Sequence, residues 1–266
     1  MSLNVYVGWD SREDIAYQAC RDSILENTQA NVNVIPLKTF ELEEQKVYYR
    51  TLCYPDEKAA TEFAFTRFLV PHLNRYQGKA VFVDCDFIFR TDIQKLFDTV
   101  MTDLDVCVVK HDYVPKFAIK MDGQRQVVYP RKNWSSLMLF NCASKVCKTL
   151  TPQGVSKHTG AFLHRFNWCV DERIGGLPIW WNWLEGEYNL KDQEGIMPRD
   201  VWRNGPYAVH YTNGGPWFPE LCKERKIEFW EDYMAYACSY MSDTEIAYIT
   251  REQTRFEKPS CKLQYA

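Results

Sequence analysis

The triplet Asp84-Cys85-Asp86 follows directly on Val81-Phe82-Val83, a run of strand-forming apolar residues, and leads into Phe87-Ile88-Phe89. Side chains of a strand alternate between its faces, so residues two apart point the same way. Two carboxylates brought that close repel unless one is protonated or a cation lies between them. Burying acids among apolar residues is also costly without a partner. A divalent cation meets both demands, and it can grip a diphosphate at the carboxyl end of a strand, where ligands of open α/β sheets gather. Short motifs recur by chance, and a second copy, Asp103-Leu104-Asp105, stands ahead of its strand, where a solvated turn is expected.

His210 strengthens the first triplet. Pro206-Tyr207-Ala208-Val209 reads as a short strand, His210-Tyr211-Thr212 as its end, and Asn213-Gly214-Gly215-Pro216-Trp217 as a tight glycine loop. A histidine there can ligate a metal while the loop amides approach phosphate oxygens; taken alone, it could equally be a histidine packed before a turn. Carboxylates, one imidazole and phosphate oxygens suit Mn²⁺, with Mg²⁺ the alternative.

These groups need a scaffold. Asn4–Gly8 reads as a buried strand, followed by a helix with Ser11 as N-cap and an apolar stripe at Ile15, Ala16, Ala19, Cys20 and Ile24. Val32–Leu37 predicts a second strand, Thr61–Leu73 a helix broken at Pro71, and Ala80–Val83 a central strand. A short helix at Asp92–Val100, a strand at Asp105–Lys110, a hairpin over Lys116–Tyr129 and a strand at Ser136–Phe140 follow. Helical segments are expected at Ser144–Leu150 and Val155–Asn167. Alternating strands and helices up to residue 110 predict a parallel sheet, and the later strands a mixed one.

With 46% hydrophobic and 25% charged residues among 266, the chain can bury a core and is neither wholly disordered nor a coiled coil. A net charge of −3 argues against nucleic acid as a partner. No apolar run is long enough to span a bilayer, and the N-terminus does not read as a signal peptide. Ten cysteines without a Cys-x-x-Cys pair read as buried free thiols in a reducing compartment, with cytoplasm the expected location. The oligomeric state stays open.

At these residues the sequence resembles the GT-A nucleotide-sugar glycosyltransferases, in particular the retaining family 8 group. Four pieces carry the resemblance: Val5-Tyr6-Val7-Gly8-Trp9-Asp10, Thr66-Arg67-Phe68-Leu69, the strand with Asp84-Cys85-Asp86, and His210 with Pro216-Trp217. It implies a single α/β domain of GT-A type. A Rossmann-like nucleotide-binding half (1–110) would be fused to a mixed-sheet acceptor half (111–240), with 241–266 a tail of unassigned role. It also implies Asp84, Asp86 and His210 as Mn²⁺ ligands, and Arg67 near donor sugar and phosphates. The nucleotide would lie along Val7, Gly8, Trp9, Asp10 and Arg12, with Cys85, Asn213, Gly214, Gly215 and Trp217 completing the donor site. A UDP-sugar donor, a carbohydrate or glycoconjugate acceptor and retention of configuration follow from the same likeness.

Three departures mark a divergent member. Trp134-Ser135-Ser136 stands where the family carries Asn-Ala-Gly, no Asp-Gln pair precedes Leu177-Pro178-Ile179-Trp180-Trp181-Asn182, and Gly215 replaces a lysine that would face the diphosphate. Arg67 could make a bidentate phosphate contact or a plain surface ion pair, and Asp10 could contact the nucleotide or assist the helix start. On the acceptor side Asp171, Glu172 and Glu185 are the carboxylates at hand, Asp171 being assigned the catalytic place, though each could be an ordinary surface acid. One or two of Trp180, Trp181 and Trp217 are expected to line the site. The rival readings are a sugar- or nucleotide-binding module without catalysis and an Asp-x-Asp phosphatase.

Overall fold

The structure, a computed structural model, describes residues 2–55, 59–112, 130–193 and 195–256. Among the described residues, nine strands form two sheets: β1 (Leu3–Gly8), β2 (Val32–Leu37), β3 (Lys79–Val83), β4 (Phe87–Phe89), β5 (Val106–Val109), β6 (Leu137–Asn141), β7 (Ile174–Leu177), β8 (Trp183–Leu184) and β9 (Ala208–His210). The larger sheet runs β2-β1-β3-β6-β5-β7 and the smaller β4-β9-β8. β1 pairs parallel with β2 and β3, and β5 with β7, whereas β6 runs antiparallel between β3 and β5. This is the expected α/β domain with a parallel start and a mixed second half.

The central strands are buried on both faces, which is why β3, β5 and β6 read as continuous apolar runs rather than alternating ones. The helix Asp14–Glu26 buries Ala16, Tyr17, Ala19, Cys20, Ser23 and Ile24, one face of a 3.6-residue period. Ser23 ties it to the smaller sheet by accepting the main-chain N–H of Phe89 at 3.0 Å. On its far side it packs on the helix Trp230–Ala237. Beyond that, the helix Asp243–Thr254, started by a Ser242/Glu245 capping box, packs against the helix Pro219–Glu224. Its buried Gln253 accepts from the Ile227 N–H and donates to the carbonyls of Cys222 and Arg225. Among the described residues no helix is long and apolar enough to cross a membrane.

Several expected elements are shorter or broken, for identifiable reasons. The first helix begins at Asp14, not with Ser11 as its cap, because the Asp10 carboxylate accepts the Arg12 N–H and builds the preceding turn. Thr61–Leu73 is a 3₁₀ turn (Thr66–Leu69) followed by the short helix Val70–Leu73, since Pro71 is tolerated only in a first turn. Gln94–Phe97 and Cys147–Thr149 are single turns within the longer segments expected there. Val155–Asn167 is split into helices Pro152–Lys157 and Gly160–His164 because Thr159 stops being helical and caps the second through the Phe162 N–H. The hairpin over 116–129 lies outside the described residues. The second triplet is not simply a solvated turn. Asp103 is exposed, but Asp105 is fully buried and receives Nε and Nη2 of Arg173 at 2.6 and 2.8 Å.

At the carboxyl end of β1, Gly8 lies under the ring of Phe63: a Cβ there would fall 2.3 Å from Cδ2. Gly8→Ala therefore overpacks the strand end and should cost about 1–3 kcal/mol in urea denaturation. Gly176→Ala, at an exposed position in β7 with open space where its Cβ would go, should stay within about 0.5 kcal/mol of the parent.

Candidate metal centre

The Asp-Cys-Asp triplet is a turn between the two sheets, not a continuation of β3. The carboxylates therefore converge because the chain turns, not because strand residues alternate. Main-chain hydrogen bonds hold both ends of the turn. Asp84 N–H donates to Ser136 O at 2.9 Å, prolonging the β3–β6 ladder, and Tyr211 N–H donates to Asp86 O at 2.9 Å, prolonging β4–β9. The second ladder sets Phe87 opposite His210, and their rings stack at 4.3 Å. A histidine far along the chain is thereby fixed beside Asp86.

Asp84, Asp86 and His210 each offer a ligand atom, and these atoms lie within 4.8 Å of one another. Nε2 of His210 is 3.3 Å from Oδ2 of Asp86, and Nδ1 faces Oδ1 of Asn182 at 2.9 Å. Nη1 of Arg67 lies 2.8 Å from Oδ1 of Asp84 and donates to the Ser135 carbonyl at 3.0 Å, with the guanidinium over the rings of Phe63 and Phe82. Hard carboxylate oxygens with one imidazole are a donor set that suits Mn²⁺ or Mg²⁺.

The cluster opens into a cavity of about 240 Å³ whose lining includes Arg12, Glu13, Cys85, Asn133, Asn213, Gly214 and Trp217. Arg12 and Thr61 also line a neighbouring cavity of about 770 Å³, walled by Trp9, Phe40, Tyr48, Tyr54 and Phe65. Of the residues singled out in the sequence, Arg12, Asp84, Cys85, Asn213, Gly214, Trp217 and the other metal candidates thus meet at one place. Gly214 takes a left-handed conformation (φ 87°) that the tight loop requires, and Asn213 donates to the buried Glu187 at 3.0 Å.

Other candidates lie elsewhere. Val7 and Gly8 are core positions, and Trp9 faces the second cavity. Asp10 is fully buried, its oxygens taken by the Arg12 guanidinium and the N–H groups of Arg12 and Glu62, so it builds the turn and reaches the cavity only through Arg12. Arg67 is neither a surface ion pair nor part of the cavity wall; it stands behind Asp84. Gly215 is pressed against Trp217, where a Cβ would come within 1.9 Å of Cζ3. Asp171 is exposed, paired with Arg131, and not among the residues lining the cavity; Glu172 is exposed beside it. Glu185 is fully buried and clamped by Arg225 at 2.9 and 2.8 Å, which removes it from any acceptor-side role. Of the three tryptophans only Trp217 lines this cavity; Trp181 packs in the core against Tyr207.

Several titratable groups around the centre are strongly perturbed, Glu13, His111 and His164 among them. Burial, reinforced by Asp86, Asp10 and Asp84, pushes the Glu13 carboxyl up to about 8. Burial pushes His111 and His164 down to about 3, with further lowering by His210 in the first case and Arg67 in the second. Both histidines are therefore neutral at physiological pH. Sequence reading missed Glu13, Asn182 and Glu187. The signal for Asn182 was a lone amide between Trp181 and Trp183, which needs polar partners if buried.

The sequence profile of the family described as glycosyl transferase family 8 matches residues 13–149, just over half of the chain. Protein CDI of Arabidopsis thaliana is 46% identical over 216 residues, 81% of this chain and 80% of that protein. The chain belongs to glycosyl transferase family 8. The fold agrees: the apo structure of the bifunctional glycosyltransferase WbbM superposes with a TM-score of 0.57 at 19% identity over 95% of this chain, which spans about half (52%) of WbbM. The galactosyltransferase LgtC, solved with donor and acceptor sugar analogues, gives 0.54 at 11% identity, covering 92% of this chain and all of LgtC. This family 8 chain is thus a glycosyltransferase domain of GT-A fold with an acidic and histidine cluster able to hold a metal.

Linkage gives the metal-free domain a defined pH profile. His111 and His164, depressed in the fold, contribute stability that is present above their unfolded value near 6.5 and lost as pH falls toward about 3. Glu13, raised in the fold, contributes stability that is present below its unfolded value near 4.3 and lost as pH rises through about 8. Thermal melts in chelator should therefore peak near pH ~6.5, and Glu13→Gln should remove roughly 2–4 °C of the decline on the alkaline side. An unchanged decline in that variant would reassign it to another group.

Proposed function

We propose that this domain transfers a sugar from a nucleotide-sugar donor, a UDP-sugar, to a carbohydrate or glycoconjugate acceptor with retention of anomeric configuration. Mn²⁺, with Mg²⁺ the alternative, would be held by Asp84, Asp86 and His210. The observation that carries the reading is the convergence of these three side chains beside a cavity at the carboxyl ends of β1 and β3. A cation bound there supplies Lewis-acid neutralisation of the departing diphosphate. Arg67 pairs with Asp84 and aims its carboxylate, while Arg12, its Nε and Nη2 held by Asp10 and Ala60, brings positive charge to the cavity wall. Asn213 and Gly214 also line this cavity, with the Gly214 N–H held by the Tyr211 carbonyl.

Retention is favoured by which acids line the cavity. Among the described residues these are Glu13, Asp84 and Asp86, and none belongs to the acceptor-side candidates. In the reaction proposed, the bond between the anomeric carbon and the leaving phosphate oxygen breaks. The acceptor oxygen bonds to the same face, and its proton passes to the departing phosphate oxygen. A cytoplasmic location is supported by the thiols: all nine described cysteines are free, and seven are buried.

Asp84→Ala, Asp86→Ala and His210→Ala should each reduce Mn²⁺-dependent UDP affinity at least ~100-fold, about 2.7 kcal/mol, in titration calorimetry while leaving the circular dichroism spectrum intact. Undiminished affinity in all three would refute the site. Mn²⁺-dependent hydrolysis of a UDP-sugar that disappears in Asp86→Ala separates an enzyme from a binding module.

A further inference from the structure

One buried amide governs how His210 is presented. Asn182 is fully buried, and its Oδ1 lies 2.9 Å from Nδ1 of His210. Its Nδ2 donates to Oγ of Ser136 at 2.8 Å and, at 3.4 Å, to the carbonyl of Asn133. The Ser136 hydroxyl spends its own proton on that same carbonyl, at 2.7 Å, so its oxygen is left to accept. That fixes the amide with nitrogen toward Ser136 and oxygen toward His210. An amide oxygen only accepts, so Nδ1 carries a proton, and in the neutral ring this leaves the Nε2 lone pair on the side of Asp86. Ser136 has a second task, because its carbonyl receives the Asp84 N–H at 2.9 Å.

We propose that Ser136 and Asn182 are positioning residues: they set the His210 tautomer before a cation arrives and tie that imidazole to the turn bearing Asp84 and Asp86. The proposal rests on the reading of His210 as a ligand, but its first measurement does not. With Nδ1 protonated, Nε2 can enter a coordination shell without losing a proton. With Nε2 protonated, the N–H would face Asp86 and compete with any cation for that carboxylate. Partners of this kind behind a ligating histidine commonly change metal affinity 10- to 100-fold when removed.

The test is nitrogen-15 NMR of His210 in metal-free protein, at a pH where its ring is neutral, repeated with saturating Mg²⁺. The expected result is the Nδ1–H form in both. Asn182→Leu, which keeps the volume but removes the acceptor, should give mixed tautomers and weaken Mn²⁺ binding ~10- to 100-fold by electron paramagnetic resonance. Asn182→Asp, still an acceptor, should keep the Nδ1–H form and stay within about threefold of the parent. Ser136→Ala should move the same signal partway, which covers the case in which Asn182→Leu does not fold. An Nε2–H tautomer in the parent, or an unaltered tautomer in both Asn182→Leu and Ser136→Ala, would overturn the proposal. His210→Ala with unchanged Mn²⁺ affinity would instead overturn ligation, leaving the metal-free tautomer to be judged alone.

Discussion

The geometry of the centre depends on two main-chain hydrogen bonds that grip the Asp84-Cys85-Asp86 turn from opposite sides. The Asp84 N–H is held by the end of β6 in the large sheet, and the Asp86 carbonyl by the end of β9 in the small one. Two like charges would drift apart on a free loop. Here the ladders fix their backbone, so their repulsion is left for a counter-charge to relieve. Arg67 relieves part of it from behind Asp84, where burial makes the pairing worth more than at a surface. The open side of the pair faces His210 and the cavity. The Glu13 carboxyl, raised first by burial and then by Asp86, Asp10 and Asp84, borders the same negative charge.

Much of this was legible in the sequence because the fold and the ligands leave strong local marks. β3 is an apolar run ending in two acids, and β9 ends in a histidine followed by glycines. What was not legible was pairing. Nothing local says that Asp105 meets Arg173, that Glu185 meets Arg225, or that Asp10 turns inward to Arg12. Each of these acids looked open to solvent or substrate in one dimension and is consumed by a cation in three. Asp171 shows the converse: it is exposed and paired with Arg131. Helix lengths were overestimated wherever Pro71 or Thr159 interrupted an otherwise helical pattern.

The absence of a lysine at position 215 has a steric cause in this chain. The six-membered ring of Trp217 fills the space a side chain there would need, and the indole packs against Tyr211 and Tyr233 in the second hydrophobic cluster. Reintroducing a side chain would force the indole out of that cluster or bend the loop. Among the described residues lining the cavity, Arg12 is the one arginine or lysine, and it comes from the opposite wall. Any cationic contact to a diphosphate from this lining therefore approaches from the β1 side.

That displacement makes the loop's support matter more. The Gly214 carbonyl receives Nη2 of Arg225, whose guanidinium also clamps the buried Glu185. The main chain carrying Arg225 is in turn held by Gln253 of the last described helix, through the Arg225 carbonyl and the Ile227 N–H. A buried carboxylate such as Glu185 is tolerated only while its cation stays in place. Loosening the Asp243–Thr254 helix would therefore free Arg225, strand Glu185 and release the Gly214 turn together. The C-terminal helix is thus mechanically continuous with the wall of the metal cavity, although the two are far apart along the chain.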